Sequence, residues 1–183
     1  MDISAFLERF RMGPHDLVGV DMGTSATKAA HLRRVNDEIS LVGAQLLPPL
    51  EGLPNVPAEA ETIPRIALDG SARARTAALA MTGHHAIIKL VSFPGSPAGD
   101  LMRRLPQDMG LKNPEEYRIS YRVITEGRGR SESRILTVGI PEADAEGVMA
   151  NFASGLPAPY TLEISALAAV TAFQRACADV LRQ

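Results

Sequence analysis

The order of apolar runs and breakers predicts a mixed fold, α/β grading into α+β, with a second small α+β unit inserted into a first. Three observations carry this. Three strand-like runs near the start are joined by short polar turns. A strand–helix–strand–strand–helix cassette fills the middle of the chain. A final strand is followed directly by a long helical pattern.

Bulk properties narrow the function classes. The 183 residues are 45% hydrophobic, enough for a buried core. Nineteen basic residues against 21 acidic ones give a net charge of -2, which makes no case for nucleic acid or an anionic membrane. The pairs Arg33-Arg34 and Arg103-Arg104 read as solvated surface. Cys177 is the only cysteine, so no internal disulfide can form, and its Ala-rich helical setting suggests a small buried residue. The stretch MDISAFLERFRMG has an acid at position 2 and no long apolar core, unlike a secretory signal, and no run is long enough to span a bilayer. The expectation is a cytoplasmic chain that reaches a membrane only through a partner.

Residues 1–14 read as an N-terminal arm, with a short helix ended by Gly13-Pro14. Leu17–Met22, Ala26–Arg33 and Ile39–Leu47 read as three strands of an antiparallel meander, turning at Gly23-Thr24-Ser25 and Asn36-Asp37. Five prolines between 48 and 64 predict an exposed loop. Ala74, Ala77, Ala78 and Met81 fall at i, i+3, i+4 and i+7, which predicts a helix over Ser71–Thr82 stopped by Gly83.

In the cassette, His85–Phe93 is an apolar strand. A helix opened by Pro97 and Asp100 runs to about Met109, with Leu101, Met102, Leu105 and Met109 inward and Pro106 kinking or shortening it. Tyr117–Thr125 alternates like a strand, with Glu115-Glu116 at its start. Arg134–Ile140 is the returning strand, and Pro141 starts a helix to about Ala153. Tyr160–Ile164 is the last strand. The last helix starts at an N-capping Ser165 and buries Leu167, Val170, Phe173 and Ala176 or Cys177. The division is therefore 15–82, then an insert over 83–156, then 157–183. His84-His85 has no acid or cysteine at metal-ligand spacing, and Asp100 and Asp108 share no evident role.

The stretch LVGVDMGTSATK holds the chemistry. Gly23 lets a backbone approach a phosphate closely, turn N–H groups can form an anion nest, and Thr24 and Ser25 add hydroxyl donors. Lys28 brings a positive charge, and Asp21 is a hard oxygen ligand suited to Mg²⁺, directly or through water. Walker A spacing is absent. Glycine and serine are also ordinary turn residues, so pattern alone leaves a plain hairpin and a phosphate grip both open.

VGVDMGTSATKAAHLR resembles the first phosphate motif of the actin, hexokinase and heat-shock chaperone ATPase superfamily. Within it, the order of three further segments resembles the PilM family of type IV pilus assembly. IIKLVSFPGSPAGDLMRRL resembles the opening of that family's inserted subdomain, and EEYRISYRVI resembles the strand that follows. RILTVGIPEADAEGVMANFASGLPAPYTLEISALAAVTAF resembles the close of the insert and the return to the first lobe. FtsA and the cytoplasmic domain of GspL carry related inserts. The likeness spans about residues 15–180 and implies an actin-like, ribonuclease H-like first lobe (subdomain 1A) with an inserted subdomain 1C. The second lobe, with its second acid–glycine phosphate loop, is not matched; Asp69-Gly70 follows no strong strand. The Pro-rich segment 48–64 and Pro106 depart from the family pattern.

The resemblance implies two functions. One is a scaffold that binds the cytoplasmic tail of a PilN-like inner-membrane protein near His85–Phe93, beside other pilus assembly platform proteins and with room for self-association. The other is half of an actin-like ATPase, with Gly23, Thr24, Ser25 and Lys28 on phosphate and Asp21 on Mg²⁺. ATP binding would then be weak and hydrolysis negligible without an opposing lobe. The insert does not suit a sugar or acetate kinase.

Overall fold

β1 (Asp16–Met22) and β2 (Thr27–Val35) form an antiparallel hairpin, and β3 (Glu38–Leu47) pairs antiparallel with β2. Alternation decides which side chains go inward. Val18, Val20 and Met22 of β1 stand opposite His31, Ala29 and Thr27 of β2, and all six are buried. Asn36 takes φ 57 in the β2–β3 turn, a left-handed conformation that asparagine tolerates better than most residues. This computed structural model describes residues 15–36, 38–49, 74–95, 101–127, 131–150 and 157–177. The arm over 1–14, nearly all of the Pro-rich loop and Asp69-Gly70 lie outside them.

The predicted helix over Ser71–Thr82 is corrected. Within that range Thr76–Met81 is a strand, β4, parallel to β1 on one side and to β8 (Ala158–Ile164) on the other. The resulting sheet has the order β3-β2-β1-β4-β8. Ala77, Leu79 and Met81 are buried on the same face as Val18 and Val20. A six-residue apolar run has the same signature in a buried strand as in a helix turn, and pairing on both edges overrides alanine's helical preference. Gly83, with φ 65, lies in the connection after β4 and ends no helix.

The chain divides into two compact units. One holds His84–Ala145; the other holds the described residues up to Gly83 and from Glu146 on. The first contains β5 (Ile87–Pro94), α1 (Leu101–Met109), β6 (Tyr117–Thr125) and β7 (Glu132–Pro141). Its three-stranded antiparallel sheet has the order β5-β7-β6. Leu101 and Leu105 of α1 join Phe93 and Ile135 in its core. Met102 is 49% exposed, so it is not inward as expected. Three positions of a nine-residue helix already fill the stripe that faces the sheet: Leu101, Leu105 and Met109.

α1 continues three residues past Pro106 and ends in a Schellman motif. Leu111 N–H donates to the Pro106 carbonyl at 2.9 Å, Gly110 N–H donates to the Gln107 carbonyl at 2.9 Å, and Gly110 takes φ 78. Glu115-Glu116 belongs to a single 3-10 turn, Pro114–Glu116, and not to the strand. Pro141 closes β7, and α2 (Glu142–Ala150) begins one residue later, crossing the division between the units in sequence.

α3 (Ser165–Ala176) packs on β8 and β4. The expected buried stripe is not there. Val170 is 53% and Phe173 60% exposed, Ala176 is exposed, and Leu167 and Cys177 are half-buried. A helix lying on one side of a sheet needs only one face covered, and Ser165, Leu167, Ala168 and Thr171 are the half-buried positions of α3.

Candidate functional site

Asp21 and Lys28 are direct cross-strand partners at the end of the β1–β2 hairpin. The Lys28 ammonium lies 3.2 Å from Asp21 Oδ2, with both side chains partly in solvent. Such a pair is worth little by itself. The turn between them is closed by Gly23 N–H donating to the Ala26 carbonyl at 3.1 Å. A Cβ at position 23 would stand 2.8 Å from that same oxygen, so the hairpin itself demands glycine. The Gly23 amide is therefore engaged within the turn. Thr24 and Ser25 are exposed at its tip.

Ser165 is the residue the sequence reading misplaced. Ile164 holds the N-cap position of α3, and no side chain caps the helix. The Ser165 hydroxyl instead donates to Asp21 Oδ1 at 2.6 Å. Asp21 thus has one carboxylate oxygen toward Lys28 and the other toward Ser165. The cluster sits where the parallel strands β1, β4 and β8 end, the edge at which open α/β sheets place ligands. An alternating pattern cannot reveal a bond between residues 144 positions apart.

At the opposite end of β1, Asp16 Oδ1 accepts from His31 Nε2 and from Arg33 Nε, each at 2.9 Å. The bond to Arg33 leads in holding the Asp16 carboxyl below its ordinary range; partial burial opposes it, and His31 adds to the lowering. His31 is buried, and its Nδ1 has no hydrogen-bond partner. These groups pin the hairpin and lie a strand's length from Asp21.

In the smaller unit, β5 is an edge strand of its sheet. Ile88 and Leu90 project from one face of β5 at 44% and 55% exposure. Lys89 reaches the other way, donating to the Asp108 carbonyl of α1 at 2.8 Å. His85 has no acid at metal-ligand spacing in the sequence, but the fold brings one from 59 residues away: its Nδ1 lies 3.0 Å from Oδ2 of the buried Asp144. Among the described residues, no group of three His, Cys, Asp or Glu side chains is placed to hold a metal. Nor is any described helix long and apolar enough to cross a membrane.

The Asp21 site fits a phosphate contact on one side only. Lys28, Thr24 and Ser25 are donors at one turn, and Asp21 could hold Mg²⁺ through water if Lys28 turned to the phosphate.

No protein family matches the sequence, and no curated protein matches it. Solved structures do match in fold. The PilM of a PilM–PilN type IV pilus biogenesis complex superimposes with a TM-score of 0.69 at 15% identity, over 91% of this chain and 52% of that one. The cytoplasmic domain of EpsL, an inner-membrane component of the type II secretion system of Vibrio cholerae, superimposes with a TM-score of 0.51 at 12% identity, over 81% of this chain and 57% of that one. The chain spans about half the length of these structures, and over that half it has the PilM-like fold that its segment order implies.

Proposed function

We propose that the chain is a scaffold of a pilus or secretion assembly platform that takes up the extended cytoplasmic tail of a PilN-like inner-membrane protein. The observation that carries this reading is the edge strand β5 with Ile88 and Leu90 exposed on one face. An extended peptide can add main-chain hydrogen bonds to such an edge, while alternate apolar side chains meet Ile88 and Leu90. The fold shared with the PilM of a PilM–PilN complex supports the choice of partner. The membrane association follows from that partner. Fluorescence anisotropy with a labelled PilN-like tail peptide and the whole chain tests it. Saturable binding that Leu90→Asp weakens at least tenfold is expected; no binding by a folded sample would overturn it.

A second reading rests on the Asp21, Lys28 and Ser165 cluster. Thr24, Ser25 and Lys28 would contact the phosphates of ATP at the turn that Gly23 closes, and Asp21 would orient Mg²⁺ through its waters. Mg²⁺ would supply charge neutralisation on the phosphates when bound. Phosphoryl transfer needs groups on both sides of the nucleotide, so this half alone binds Mg-ATP weakly and does not turn it over. Calorimetric titration checks this, and micromolar affinity would overturn it.

A further inference from the structure

The outer edge of β5 has a defined register. Gly95 N–H donates to the carbonyl of Ser131, the residue before β7, at 3.1 Å, so the Gly95 amide points toward β7. Backbone groups alternate in direction along an antiparallel strand. The amides of Phe93, Val91 and Lys89 therefore also face β7, and those of Ile88, Leu90 and Ser92 face away from it. β5 is the outer strand of its sheet, so these three residues present N–H and C=O groups to an added strand. Next in the series is Pro94, which has no N–H. An added ladder thus ends at Ser92.

The side chains of these rungs share the sheet face that points away from α1. Val138, Leu136 and Arg134 of β7 stand opposite Ile88, Leu90 and Ser92. Phe93 and Ile135 point the other way, into the core with α1. The face is therefore aliphatic at two rungs and cationic at the third. Arg118 on this face is bound to Glu142, and Arg122 is also engaged. Arg134 is exposed, and its guanidinium is paired with no acid among the described residues. A strand added to β5 would run two steps, about 9.6 Å, from β7. Ser92 is small and exposed, so the long Arg134 side chain has a clear path over it toward a carboxylate on that strand. Glu132 stands opposite Pro94 on the same face and repels an acid placed past the end of the ladder. We propose, resting on the tail site at β5, that Arg134 sets its specificity: the tail carries apolar side chains at the Ile88 and Leu90 rungs and an acidic one at the Ser92 rung.

Two capped, labelled seven-residue peptides test the proposal. Both carry leucine at their third and fifth positions and threonine between; one has glutamate at both ends, the other glutamine. The symmetry brings the end residue to the Ser92 rung whichever way the peptide runs. Anisotropy titrations use the whole chain at low salt, as wild type, Arg134→Gln and Arg134→Glu, both at an exposed position. Wild type is expected to bind the glutamate peptide at least threefold more tightly than the glutamine peptide, a modest factor because the pair is exposed. Arg134→Gln should erase that preference, Arg134→Glu should reverse it, and added salt should shrink it in wild type. Equal binding of the two peptides by wild type, or a preference that survives in Arg134→Gln, would overturn the role of Arg134 and leave the tail site standing. Binding of neither peptide would overturn the tail site and this register with it.

Discussion

The Ser165 hydroxyl donates to Asp21 Oδ1 at 2.6 Å and so ties the first residue of α3 to the end of β1. The bond fixes one oxygen of the carboxylate and leaves the other to Lys28. It also removes serine from the capping role its sequence position suggested. A side chain at the first helical position cannot both reach back to the helix amides and reach across to a neighbouring strand.

Ser165→Ala is expected to destabilise the larger unit by about 1 kcal/mol, since the bond is to a charged group but water can replace it at the partly exposed Asp21. Urea denaturation measures this. In an Asp21→Asn background the same substitution should cost less, and an unchanged cost would show that Ser165 acts elsewhere.

Stability should fall in acid through two carboxylates. Asp16 is held below its ordinary 3.8 chiefly by its bond to Arg33, and Glu142 below its ordinary 4.5 chiefly by its bond to Arg118. The unfolded chain then binds protons more readily than the folded one, so stability rises with pH. The contribution is complete above 3.8 and 4.5 respectively and is lost as pH falls through the lowered folded values. Melting temperatures from pH 7 to pH 2 check the direction, and Asp16→Asn with Glu142→Gln should flatten the slope.

Gly110→Ala is expected to cost about 1–2 kcal/mol, because φ 78 places a Cβ in the left-handed region. Nothing crowds the added Cβ, so the loss comes from the backbone alone. Gly110→Asn, better tolerated there, should recover part of it in the same thermal melt.

Leu105→Ala should cost about 2–5 kcal/mol, as Leu105 is fully buried beside Phe93 and Ile135. Met102→Ala, one turn away and half exposed, should cost under about 1 kcal/mol. Denaturant midpoints of the two variants distinguish a core position from a surface one on the same helix.

The strands of the meander were legible because short strand-like runs are separated by turn residues. The Tyr117–Thr125 strand was read at its full length because its side chains alternate in character along it. β4 was not, since alanine and leucine in a central strand carry no alternation to mark it. Val170 and Phe173 were read as core because helical spacing identifies an apolar face without saying whether anything covers it. The residues of the Asp21 turn were visible as a motif. Ser165 and the acid partner of His85 were not, because long-range contacts leave no local periodic trace.

β4 has a further consequence, for the order in which the chain acquires structure. Its partner β8 begins 82 residues downstream of where β4 begins, whereas every strand of the smaller unit lies between Ile87 and Pro141. Closing so long a segment is entropically costly and slows pairing. The contiguous unit can therefore mature early as the polypeptide emerges from the ribosome. The larger sheet must keep the apolar edge of β4 waiting until β8 arrives, and that interval is when chaperones or mispairing would compete for it.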